Sequence, residues 1–416
     1  MNCEILCVGT ELLLGNTVNT NAANLSDMLA ELGLNVLWHS VVGDNPARLK
    51  DAAALARSRA DIIITTGGLG PTYDDLTKNV LADAFGKKLV FHDEVAEGLK
   101  CWFSKNSTSH YTENNLQQAW LPEGCTVFYN DWGTAPGCAF SVDGVHIVML
   151  PGPPKECLPM FRHCAAPYLK KLSDETLVSR KIHVFGMGES AIESLFREEM
   201  EKMANPTLAT YAKEGEVMLR VTAKAKTEAE AAEMCRPIVD KVCARLGSYV
   251  YAVDVDSLEE LSLSLLKDKH MTFAAAESLT GGLIGARFTA LSGASEVFRG
   301  GAVTYCDEVK AAMLGIDPAL IAEHGAVSRE TAEAMAKGVR AAAGADIGLS
   351  ATGLAGPDGD GVNPVGTVFV GLAAPDGVWV RHLRLGTGRS RVRTLAANNA
   401  FDMLRRYLTG LPVIEE

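Results

Sequence analysis

Two groups of residues in this chain have types and spacing suited to chemistry. The first pairs hydroxyls with an amine: Ser278 and Thr280 lie in AAAESLTGG, and Ser295, Tyr305 and Lys310 span the sixteen residues of SEVFRGGAVTYCDEVK. No histidine accompanies either serine. A serine needs a base, and a lysine whose charged form is disfavoured by burial or nearby cations can take the proton, so Ser plus Lys is a candidate dyad. The second group is ITTGGLGPTYDDLT, Ile64 to Thr77. Gly67, Gly68 and Gly70 let backbone approach a ligand closely, and the following helix start presents free N–H groups where a phosphate fits. The loop lacks the Lys-Ser/Thr ending of a P-loop, which argues against ordinary nucleoside triphosphate hydrolysis. Asp74 and Asp75 are consecutive and point about 100° apart on a helix, so they do not form a twin acid pair. Either one caps the helix while the other holds a divalent cation bridging to phosphate, or both serve the helix dipole.

These residues need a frame, and the chain supplies alternating short β-rich and amphipathic runs. EILCVG, NTNAANLSDMLAELG, NVLWHSVVG, PARLKDAAALARSRA and DIIITTGG read as βαβαβ. That order implies a parallel sheet whose ligands bind beyond the strand carboxyl ends, where the TTGGLGPT loop falls. HIVMLPGPPKE adds another strand and a stiff turn. The apolar pattern weakens near Leu172, and a smaller α+β unit follows, with strands at KIHVFG, TLATYA and VMLRVTAKA and two helices. A third α/β unit places MTFAAAES, VFRGGAVTY, DIGLSATGLAG and VGTVFVGLAAPDGVWVRHLRL as strands, closed by the helix RVRTLAANNAFDMLRRYLTG. The expected domains are 1–170, 171–253 and 254–416.

Composition bounds the function. With 416 residues, 47% of them hydrophobic and 22% charged, the chain is long enough for several cores. A net charge of −12 repels nucleic acid and anionic membranes. The ten cysteines lack paired CxxC spacing and read as reduced thiols. The start, MNCEILCVGTELL, has no basic leader region, and no apolar run approaches the roughly 18 residues of a membrane span. The expectation is a cytoplasmic protein with small-molecule partners. Asn106-Ser107-Thr108 matches a glycosylation pattern that carries no information in a cytosolic chain.

VGTELLLGNTVNTNAANL, VVGDN, TTGGLGPTYDDLT, GTAPG and LPGPPKE, in this order, resemble the N-terminal domain of the CinA family, whose fold is that of molybdopterin-binding proteins. The resemblance implies hydrolysis of the ADP-ribose pyrophosphate with a divalent metal, Mg, Mn or Co. It implies that Gly67, Gly68, Gly70 and Thr72 cradle phosphate. Asp44, Asp74 and Asp75 become metal ligands, with Asp75 catalytic, and Glu11, Asn16, Asn19 and Lys155 further substrate contacts. The middle segment resembles the family's KH-like domain. Its FGMGES puts Glu189 where a phosphate clamp wants positive charge, so it reads as a spacer or dimerisation element.

AESLTGG, GGAVTYCDEVK, HGAVS, ATGLAGPDGD and PVGTVFVG resemble the nicotinamide-nucleotide amidase domain of the same family. The implied reaction takes nicotinamide mononucleotide (NMN) to nicotinic acid mononucleotide and ammonia, with no cofactor. Ser295 would be the nucleophile, Lys310 the base, Tyr305 a relay or oxyanion partner, and Arg389 the phosphate contact. Glu277, Ser278, Thr280, Gly281 and Gly282 in the first motif and Gly353, Ala355 and Gly356 in the second glycine loop would bind substrate. Ser278 is also a rival nucleophile, because it sits beside the Gly281-Gly282 helix start. The chain departs from the family pattern at Leu279, where cysteine is usual, and at Gly388, where an acid is usual. The family organisation implies a homodimer.

Overall fold

The computed structural model describes residues 1–105, 111–172 and 176–414; Asn106-Ser107-Thr108 lies outside the described residues. The chain forms two compact units, Met1–Val178 with Ala223–Glu233, and Ser179–Thr222 with Met234–Glu416.

In the first unit, β1 (Asn2–Val8), β2 (Asn35–Val42) and β3 (Ile62–Thr66) are the apolar runs read from sequence. All five residues of β3 are buried, as expected of a central parallel strand covered on both faces. The short β4 (Leu89–Phe91) and β5 (Trp120–Pro122) pair separately, while β6 (Thr126–Phe128), β7 (Gly137–Val142) and β8 (Val145–Leu150) complete a six-stranded sheet. Its order is β2-β1-β3-β8-β7-β6. The first four strands are mutually parallel, β7 runs antiparallel to β8, and β6 antiparallel to β7. The carboxyl ends of β1, β2, β3 and β8 therefore share one edge. Because Phe128 pairs with Gly137, the loop joining β6 to β7 reaches that same edge. The helices Thr20–Glu31 and Pro46–Arg57 start at asparagine caps, Asn19 accepting from Ala22 N at 3.2 Å and Asn45 from Arg48 N at 3.0 Å.

The middle segment forms a four-stranded sheet in the order β10 (Thr207–Lys213), β11 (Glu216–Ala225), β9 (Thr176–Phe185), β12 (Val250–Val253). His183 on β9 is 1% exposed, tilts against Tyr251 at 5.5 Å, and leaves both ring nitrogens without a hydrogen-bond partner. Burial, helped by the Lys213 charge, pushes its pKa down to about 4. The unfolded chain protonates near the ordinary value of 6.5 while the folded chain does not, so this residue's stability is complete above that pH and is lost as pH falls toward 4. Denaturant midpoints measured at pH 7 and pH 4.5 should differ less in His183→Phe than in the parent.

The C-terminal sheet has the order β14 (Phe298–Val303), β13 (Phe273–Glu277), β15 (Ile347–Gly353), β16 (Thr367–Ala374), β17 (Gly377–Arg384). β13, β14 and β15 are parallel; β16 reverses, and β17 reverses again. Residues following β13, β14, β15 and β17 thus emerge at one edge. The helix Arg389–Thr409 packs its buried alanines and Phe401 into the core beneath this sheet. It also binds the middle segment: Asn398 Nδ2 donates to Glu214 O at 3.1 Å, and Arg405 Nη1 to Ser248 O at 3.2 Å.

Candidate active sites at two sheet edges

At the C-terminal edge, the four emerging segments enclose a cavity of about 240 Å³. Ser278 enters from the turn after β13, Tyr305, Asp307 and Lys310 from the segment after β14, Thr352 to Gly356 from β15 and its loop, and Arg389 from beyond β17. Lys310, on the helix Asp307–Leu314, is only 2% exposed, and its Nζ lies 3.0 Å from Asp307 Oδ1. Arg389 donates to Tyr305 Oη at 2.8 Å and to Gly356 O at 2.9 Å, fixing a phenol that is otherwise 58% exposed. Thr352 Oγ1 donates to Ala326 O at 2.7 Å, which holds the HGAVS segment as a wall, with Ala326 and Val327 lining the cavity.

The cavity gathers Ser278, Tyr305, Lys310, Gly353, Ala355, Gly356 and Arg389, but not Ser295. Ser295 lies in the turn Ala294–Glu296, before β14, whereas Tyr305 and Lys310 come after it. Six strand residues separate the two ends, roughly 20 Å at the usual rise. The return expected to join Ser295 to Lys310 does not occur, because β14 runs parallel to β13 and carries the chain across the sheet.

Glu277 is also corrected. Its buried carboxylate accepts from Ile284 N at 3.0 Å and Gly285 N at 2.9 Å, closing the first turn of the helix Leu283–Thr289. Thr280, Gly281 and Gly282 form the turn behind the cavity, where Thr280 O accepts from Arg393 Nη2 at 2.7 Å. Sequence reasoning missed Asp307, Thr352 and Asp358. An acid three residues before a lysine on one helix is the signal that could have found Asp307.

At the N-terminal edge, the loops after β1, β2, β3 and β8 meet. Gly9 N donates to Val42 O at 3.0 Å, and Gly67 N to Leu150 O at 3.1 Å. Gly67, at φ +102°, sits where a Cβ would lie 2.1 Å from Val8 O, and at Gly70 one would lie 2.5 Å from Asp75 Oδ2. Loop packing itself demands these glycines. Asp75 Oδ2 accepts from Thr72 N at 2.9 Å and Thr72 Oγ1 at 2.5 Å, while the same hydroxyl also touches Asp74 Oδ1. The Thr72 hydroxyl has one proton to give, so it cannot serve both carboxylates at once.

Asp44 does not join them. Its Oδ2 accepts from Thr10 N at 2.8 Å and its own N donates to Thr10 Oγ1 at 3.1 Å, bracing the β1 and β2 loops instead of supplying a metal ligand alongside Asp74 and Asp75. Among the described residues no group of three or more His, Cys, Asp or Glu side chains is placed to hold a metal ion. Asn19 is committed to its helix cap and to the Cys7 thiol rather than to substrate. Glu11, Asn16 and Lys155 are exposed at or beside this edge. Two residues went unnoticed in the sequence. Asn21 Nδ2 donates to Thr66 Oγ1 at 2.9 Å and Gly152 O at 2.7 Å, tying the β3 and β8 loops. Lys78 is 4% exposed and donates to Gln117 O, with burial pushing its pKa down to about 8.

None of the ten cysteines forms a disulfide, and no described helix is long and apolar enough to cross a membrane. Residues 4–171 match the family model of a probable molybdopterin binding domain, residues 179–252 that of the damage-inducible protein CinA KH domain, and residues 255–408 that of the CinA C-terminal domain. The chain is similar to a putative competence-damage inducible protein of Acetivibrio thermocellus, 48% identical over 99% of this chain and 100% of that one. It is also similar to a CinA-like protein of Dictyoglomus turgidum, 46% identical over 99% and 100%. Among solved structures, a competence/damage inducible protein from Agrobacterium tumefaciens is 35% identical, covering 37% of this chain and 97% of that one at a TM-score of 0.36.

Proposed function

This chain belongs to the CinA family, and from that premise we propose that it is a hydrolase with two nucleotide sites, a C-terminal amidase acting on NMN and an N-terminal, metal-dependent site cleaving ADP-ribose to AMP and ribose 5-phosphate. The observation that carries the amidase reading is the convergence of a serine, a buried lysine, a phenol and an arginine on one cavity. In this reading Ser278, rather than Ser295, attacks the carboxamide carbon while its proton passes to the Lys310 amine. The proton then goes to the departing ammonia, and water hydrolyses the acyl-serine ester to release the acid. Tyr305, held by Arg389, faces the developing oxyanion, and the remaining guanidinium donors face the substrate phosphate.

For the N-terminal site, the crowding of Asp74, Asp75 and the Thr72 hydroxyl supports a cation, since one hydroxyl proton cannot serve both carboxylates there. Two carboxylates suit a Mg-like ion that completes its shell with phosphate and water. Such an ion would neutralise the diphosphate charge. A second reading, that this domain holds a nucleotide or a molybdopterin without cleaving it, is favoured by the lack of a three-ligand cluster among the described residues. Incubating the protein with NMN and ADP-ribose separately, and following ammonia and AMP, decides between them. Ammonia without AMP leaves the amidase alone, and neither product refutes the hydrolase reading.

A further inference from the structure

We propose that Cys125 and Cys138, neighbours on the β6 and β7 ladder, are a reversible oxidation site at which a small-molecule disulfide closes an intramolecular disulfide. Val127 pairs with Cys138, and Cys125 lies two residues before Val127. Side chains two apart share a face of a strand, so Cys125 is the diagonal neighbour of Cys138 on one side of the sheet. The packing agrees. Cys125 and Val127 rest against the core cluster that holds Cys138 and Phe140, whereas Phe128 and Ala139 belong to the cluster on the opposite face. Cys125 is partly exposed and Cys138 is buried. That is the arrangement of an attacking thiol that an oxidant reaches and a resolving thiol that it does not.

The turn before β6 gives Cys125 both room and charge. The ladder starts at Thr126, and the Cys125 N–H donates within its own turn, to Pro122 O at 3.1 Å. Gly124, at φ +72°, has open space around it. Diagonal neighbours stand roughly 7–8 Å apart, just beyond the span of about 7 Å that a disulfide bridges, so a shift of about 1 Å in this turn closes the bond. Leu89 pairs with Pro122, and Glu123 N donates to Lys88 O at 2.8 Å, which sets Lys87 beside the Gly124–Cys125 step. A hydrogen bond with Cys138 and the Lys87 charge hold the Cys125 thiol below its ordinary range, and the same hydrogen bond, together with burial, pushes Cys138 up. The reactive thiolate is therefore the accessible one. Cys7 and Cys157 differ, because burial raises both.

The exchange takes two steps. Cys125 thiolate attacks one sulfur of the small-molecule disulfide, whose S–S bond breaks; one half leaves as a thiolate and the other stays on Cys125. Cys138 then attacks Cys125 Sγ and gives its proton to the second departing half. Two protein thiols lose two electrons, and one disulfide is reduced to two thiols.

The test treats the folded full chain with oxidised glutathione, blocks the remaining thiols with iodoacetamide and maps the peptides by mass. The parent should yield a linked peptide pair, Cys125 with Cys138, that dithiothreitol reopens. Cys125→Ser should lose the linked pair, and Cys138→Ala should keep glutathione on Cys125, since the thiol that displaces it is gone. A parent whose exposed Cys101 and Cys306 carry glutathione while Cys125 and Cys138 stay reduced overturns the site. Glutathione that stays on Cys125 of the parent, without a linked pair, overturns it as well. If Cys138→Ala fails to fold, the parent and Cys125→Ser still decide, because the linked pair is read from the parent.

Discussion

Ser278→Ala releases ammonia from NMN about 10³-fold or more slowly than the parent, the loss typical of removing a nucleophile, while Ser295→Ala keeps a rate near the parent's. Lys310→Met should be as inactive as Ser278→Ala, and should still bind nicotinic acid mononucleotide, because Arg389, the proposed phosphate contact, keeps its bonds to Tyr305 and Gly356. The reason is topological. Ser278 follows β13 and Lys310 follows β14, two parallel neighbours, so both face one cavity, whereas Ser295 precedes β14 and lies at the far edge. A dead Ser295→Ala beside a live Ser278→Ala would refute the assignment within one chain. Recovery of activity on mixing two inactive variants would then show that a second copy delivers the hydroxyl.

Asp75→Asn should lower release of AMP from ADP-ribose by on the order of 10²-fold or more, and EDTA should do the same to the parent, with Mg, Mn or Co restoring it. The amide would still accept from Thr72 N, so the loop keeps its hydrogen bond and loses only the charge. Ammonia release should be unaffected by either treatment, because the amidase cavity takes no residue from this edge. Full cleavage by metal-free protein would sink the cation reading.

The three-part α/β architecture was legible because its strands are four or more residues long and alternate with helices of clear apolar period. Residues 78–145 were not: β4, β5 and β6 have three residues each, too few to show a period. That gap hid the loop from Tyr129 to Pro136, between β6 and β7. At the amidase edge, residue types were read correctly for Lys310, Tyr305 and Arg389. The choice between two serines needed strand direction, since nearness in sequence said Ser295 and position relative to the strand ends said Ser278. Glu277 and Asp44 show a related limit, because a carboxylate capping nearby N–H groups and one waiting for a ligand look alike in sequence.

The Glu277 cap also bears on inhibition. Its carboxylate occupies the first free N–H groups of the helix that begins just beyond Ser278, so that helix end is already neutralised and offers nothing to a second anion. A boronic acid trapped on Ser278 as a tetrahedral adduct would have to place its negative oxygen on the opposite wall, toward Tyr305, Arg389 and the Gly353 to Gly356 backbone. Warheads for this cavity are then best built toward the arginine instead of toward the glycine turn behind the serine.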